Sequence, residues 1–152
     1  MSEVRDYFYA GGLNCAESTL RCLIEKGVID APPETVRMMS GFGGGMQRGE
    51  ICGAVTAAVA ALGWRLGRTD PSEDRRPSAR AVRSFLTRFE EEYGSLLCRE
   101  LRARHAREHA LKSPGMYRSC TVFVERAEAL AEEILRQAEQ AEAPDNGPSK
   151  ES

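Results

Sequence analysis

Residues Ile51 to Trp64 form an apolar run with almost no polar face, reading Ile-Cys-Gly-Ala-Val-Thr-Ala-Ala-Val-Ala-Ala-Leu-Gly-Trp. The run is shorter than the roughly 20 residues a membrane-spanning helix needs, and Arg65 closes it. A helix without a polar face belongs in the middle of a bundle, where every side finds an apolar partner. Its many Ala and Gly residues let neighbouring helices approach closely. The implied fold is all-α, a compact bundle of about five to six helices around a central apolar helix at about residues 51–66.

The remainder of the chain divides into further helices, and no segment shows the alternation of a strand. A short helix is expected from Glu3 to Ala10, capped by Ser2 and stopped by Gly11-Gly12. Asn14 reads as the next N-cap, with Glu17 three residues on to complete a capping box. That helix should reach about Lys26, with Gly27 at its end. Pro32-Pro33-Glu34 can open a brief helix through Met39. Arg68 to Ser78 is a polar connection. Val82, Phe85, Leu86, Phe89 and Tyr93 then recur at helical spacing up to Gly94. Ser95 can cap a helix holding Leu97, Cys98 and Leu101, and Ser113-Pro114-Gly115 breaks it. A last helix carries Cys120, Phe123, Val124, Ala127, Leu130, Ala131, Ile134 and Leu135 on one stripe. One helical domain is therefore expected over residues 1–140, with a disordered tail over 141–152 rich in Pro, Gly, Ser and charge.

Net charge is −2, so the bulk balance draws the chain neither to nucleic acid nor to anionic lipid. The N-terminus is charged and lacks a secretory pattern, which points to the cytoplasm. Thiols stay reduced there, so five cysteines suggest metal binding, catalysis or plain burial rather than a disulfide framework.

Four of the five cysteines fall near expected helix starts. Cys15 follows the cap Asn14, Cys52 opens the apolar helix, Cys98 is three residues past Ser95, and Cys120 lies in the first turns of the last helix. Unsatisfied N–H groups and the positive end of the helix dipole stabilise a thiolate at such positions. The thiolate is the form that attacks disulfides and binds metal. Cys22 differs: it lies mid-helix between Leu20 and Leu23 and reads as a small buried hydrophobe. The four are not paired as Cys-x-x-Cys, so neither a zinc ribbon nor a thioredoxin-like site is signalled.

The order Gly11-Gly12-Leu13-Asn14-Cys15-Ala16-Glu17, then residues Gly41 to Thr56 with Cys52-Gly53-Ala54, then Tyr93-Gly94 before Cys98, then Cys120, resembles one family closely. It is the C_GCAxxG_C_C family of redox-active proteins, named for its cysteine pattern, and the resemblance runs from about Tyr7 to Leu135. Its members are small helical proteins held to act through four cysteines, related to the non-haem part of split-Soret cytochromes. The resemblance implies that Cys15, Cys52, Cys98 and Cys120 are the redox or ligand residues, with an iron–sulfur centre as the cofactor they would hold. The chain departs from the motif where Ala57 replaces Gly, a methyl that could narrow a cofactor pocket but removes no ligand. No Cys-x-x-Cys-His haem attachment site is present.

Other patterns are weaker. The loop Gly41 to Gly49 lacks the P-loop spacing and a preceding strand. Its glycines, Gly43, Gly44 and Gly45 among them, suit tight backbone around Cys52 and N–H donation to thiolates or cluster sulfides. His105 and His109 share a helical face, but the charged segment Arg102 to Lys112 reads as a solvated surface. Arg48 and Glu50 either pair or tune the site.

The leading expectation is a redox protein using cysteine thiolates, as a dithiol/disulfide or as ligands of an iron–sulfur centre, with a redox partner protein. Cys52 is the favoured attacking thiol in the first form. The alternative is a helical interaction module, held by zinc on the four cysteines or free of metal. The apolar helices leave a homodimer open.

Overall fold

The computed structural model describes Val4, Tyr7, Phe8, residues 12–109 and residues 120–141, without the side chains of residues 105–109. Among these residues the chain is all-helical, with one isolated antiparallel bridge between Ile51 and Leu97. The first helix, α1 (Cys15–Glu25), begins where the sequence places it. Asn14 Oδ1 accepts the Glu17 N–H at 2.8 Å, and Glu17 Oε1 accepts the Asn14 N–H at 2.9 Å. Lys26 caps the far end and Gly27 turns the chain with φ +73°.

A 3₁₀ segment, Pro33–Phe42, is longer than the brief helix expected from the prolines. Ser40 ties it back to α1: its carbonyl accepts from Asn14 Nδ2 at 3.2 Å and its hydroxyl donates to Glu17 Oε2 at 2.6 Å. The capping residues of α1 therefore also hold the approach to the glycine-rich loop.

Helix α2 (Gly53–Leu66) is the central helix, packing against α1, α3 (Arg76–Tyr93) and α5 (Thr121–Ala141). Its Ala54, Val55, Ala57, Ala58, Ala61 and Leu62 are buried. The apolar run surfaces at its end, where half-exposed Trp64 donates from Nε1 to Asp30 at 2.9 Å. Helix α3 and α5 join through Phe85, Phe89, Tyr93 and Phe123, with Tyr93 edge-on to Phe123 at 5.0 Å. Buried Glu128 of α5 pairs with Lys26 Nζ at 3.0 Å, tying α5 to the end of α1.

Gly94, with φ +79°, ends α3 as expected. Ser95 is not the cap of the next helix: its hydroxyl accepts the Leu97 N–H at 3.0 Å, and α4 (Cys98–His109) starts at the cysteine. The expected helix 3–10, apart from its three described residues, and the break at Ser113-Pro114-Gly115 lie outside the described residues. So does the expected tail beyond Ala141, itself the last residue of α5. No helix among the described residues is long and apolar enough to cross a membrane.

Candidate functional site: four cysteines on one cavity

All four cysteines sit at or within one residue of a helix start. Cys15 is the first residue of α1, Cys98 the first of α4, and Cys52 the N-cap of α2. Cys120 immediately precedes α5, and its carbonyl accepts the Phe123 and Val124 N–H groups. A short backbone link sets two of them side by side. The Cys52 N–H donates to Leu96 O at 2.8 Å, and the Cys98 N–H donates to Glu50 O at 2.6 Å, on either side of the Ile51–Leu97 bridge.

All four cysteines line a single cavity of about 200 Å³. Phe8, Leu101, Phe123 and Val124 form its apolar wall, and Asn14, Gln47 and Arg102 its polar part. Backbone of Gly43, Gly44 and Gly53 completes the lining. Glycine is needed at two points of this shell and at neighbouring Gly45, because an added Cβ would meet other atoms well inside contact distance. At Gly53 it would lie 2.5 Å from Cys15 Sγ and 2.7 Å from Phe42 O. At Gly43 it would lie 2.5 Å from Asn14 Nδ2, and at Gly45 2.7 Å from Cys98 Cβ. The loop glycines thus pack tightly against Asn14 and Cys98, and Gly43 and Gly44 share the cavity lining with Cys52.

The loop takes a wide left-handed turn. Gly44, Gly45, Met46 and Gln47 have φ of 61°, 65°, 57° and 62°, and the Glu50 N–H closes back on Gly45 O at 2.9 Å. Two of these residues carry a Cβ, at a cost of roughly 1–2 kcal/mol each. Such strain persists where the surroundings over-determine the backbone, and it collects at functional sites. Here the turn brings Gly44 and Gln47 to the cavity rim.

Residues 13–134 match the family described as "Putative redox-active protein (C_GCAxxG_C_C)". The chain belongs to that family. No curated protein and no solved structure matches it. The C_GCAxxG_C_C match runs from the residue before Asn14 almost to the end of the α5 stripe, so it takes in all four cavity cysteines. Ala57, at the glycine position of the family motif, is fully buried in the core and does not line the cavity. It therefore does not narrow the space between the cysteines.

Helix starts alone do not make thiolates here. Burial pushes the Cys52 thiol up from its ordinary 9.0 to about 12, and Cys15 and Cys120 nearby push the same way. The N–H groups of Val55 and Ala54 oppose this without prevailing. Cys15 is also raised, first by burial and then by Cys98, against the Gly44 and Ala16 N–H groups. Burial outweighs the helix terminus by magnitude. A helix terminus is worth about 0.3–1 kcal/mol, up to ~2 when partly buried, whereas full burial can move a thiol by roughly 3–5 pKa units. Cys52, 7% exposed and protonated at neutral pH, is a poor attacking thiol.

The cavity offers four thiols, which are soft donors, with an N–H group directed at Cys15 from the glycine loop. Among the described residues, no three Cys, His, Asp or Glu side chains are grouped as ligands of a single ion.

Cys22 is buried in the core away from the cavity. Arg48 and Glu50 pair at 3.2 Å on the surface and do not line it. The side chains of His105 and His109 lie outside the described residues. Arg102, expected on a solvated face, instead lines the cavity with Nη1 3.9 Å from Cys98 Sγ. Its signal in the sequence is its place four residues after Cys98, one helical turn on.

Proposed function

We propose that Cys15, Cys52, Cys98 and Cys120 hold an iron–sulfur centre and that the protein carries single electrons to and from a partner redox protein. The observation that carries this reading is the convergence of four cysteines, from four separate segments, on one cavity. A dithiol exchange site needs two thiols, one of them accessible and ionised. Here Cys52 and Cys98 are buried, Cys15 and Cys120 are partly buried, and burial keeps Cys52 and Cys15 protonated unless a cation offsets the charge. Bound iron supplies that cation, and an iron–sulfur centre supplies one-electron chemistry. The chain's own part is to fix four sulfurs by helix starts, exclude water with Phe8, Leu101, Phe123 and Val124, and offer the Gly44 N–H to sulfur. Reduced thiols of this kind suit the cytoplasm, where we place the protein.

A dithiol reading has its own support in the neighbouring thiols: Cys98 raises Cys15, and Cys15 and Cys120 raise Cys52. Anaerobic purification with iron, sulfide and zinc analysis separates the possibilities. Iron and acid-labile sulfide with visible absorption support the centre. A reversible disulfide without iron supports dithiol exchange, and colourless bound zinc supports a structural role.

A further inference from the structure

Arg102 brings a full positive charge into the four-cysteine cavity. Its Nη1 lies 3.9 Å from Cys98 Sγ, and the spacing of four residues on α4 holds the guanidinium on the same face as the thiol. Cys98 is itself fixed, with its N–H on Glu50 O at 2.6 Å and its Cβ against Gly45. Cys15 and Cys52 are served differently, by backbone N–H groups of Gly44 and Ala16 and of Val55 and Ala54. Those are dipoles, while a guanidinium remains charged at any pH the fold survives. Among the described residues that line the cavity, Arg102 is the one cation, and none is a carboxylate.

We propose that Arg102 is a positioning residue that, through Cys98, biases the four-cysteine centre toward its reduced state. The inference rests on the iron–sulfur reading above. One electron enters from an external one-electron donor, which is oxidised. No bond or proton has to move, and the charge inside the cavity becomes more negative by one. Arg102 offsets that added charge, so removing it makes reduction harder and lowers the potential. Partial exposure of the side chain screens the effect. The expected change is about threefold to tenfold in the reduced-to-oxidised ratio at fixed ambient potential, tenfold being about 59 mV for one electron.

The test is an anaerobic redox titration, followed by visible absorption, of the native chain, R102Q, R102K and R104Q. Arg104 donates to Tyr93 O at 3.2 Å and does not line the cavity. R102Q should keep native iron and sulfide but titrate at lower potential, R102K should restore most of the shift, and R104Q should match the native chain. An R102Q potential equal to native, with full iron, overturns this inference alone. R102Q lacking iron while R102K retains it assigns Arg102 to assembly rather than tuning, and also overturns it. A native chain without iron and sulfide overturns the iron–sulfur reading, and this inference with it.

Discussion

Gly53 stands against the Cys15 sulfur so closely that a methyl on it would lie 2.5 Å from Sγ. The residue that opens the central helix is thus the floor on which the first cysteine rests. In an ordinary helix, Gly to Ala gains about 1 kcal/mol. Here overpacking, roughly 1–3 kcal/mol, outweighs that gain, because the Cβ also meets Phe42 O at 2.7 Å. G53A should therefore lower stability in urea denaturation, and should displace Cys15 enough to weaken iron retention.

Ala57 gives the opposite control. It is buried but does not line the cavity. A57G, which restores the family's glycine, should cost about 1 kcal/mol of stability and leave the iron and sulfide content unchanged. Iron content that rises in A57G would show that its methyl does reach the site.

Asn14 couples the cap of α1 to the loop. It closes the capping box with Glu17, donates to Ser40 O at 3.2 Å and lines the cavity. N14A should cost about 1 kcal/mol, as lost N-caps do, and should accelerate loss of the centre on exposure to a chelator. Asn14→Asp, which keeps the accepting oxygen, should retain most of the stability.

The metal-free protein should be sensitive to alkali. The Cys52 thiol ionises near 12 in the fold against an ordinary 9.0. Between those values the folded state holds a proton that the unfolded state has lost, so stability falls as pH rises from about 9. The slope approaches about 1.4 kcal/mol per pH unit, and Cys15 adds to it with the same sign. Below pH 9 the contribution is flat. C52A should flatten the alkaline limb in denaturant titrations between pH 8 and 11.

The sequence made the frame readable because its signals were local. The Asn14–Glu17 capping box, Gly27 and Gly94 at helix ends, and the apolar face of α2 each act within a few residues. The four cysteines could be separated from Cys22 by the same local logic. Ionisation could not be read this way, since desolvation of Cys52 depends on helices distant in sequence. Nor could the Ile51–Leu97 bridge, a pairing of only one residue with no alternation to announce it. Arg102 was hidden by its charged surroundings: a cavity beside one helical turn leaves the same pattern as a solvated face.

The most direct measurement is iron and acid-labile sulfide per chain in anaerobically isolated protein, compared among the native chain, C22A and the four single variants C15A, C52A, C98A and C120A. Native protein and C22A should carry the same stoichiometric iron and sulfide, with visible absorption bleached by a one-electron reductant. Each of the four variants should lose most of both. Native protein free of iron and sulfide, or C22A losing as much as C52A, would contradict an iron–sulfur centre held by the four cavity cysteines.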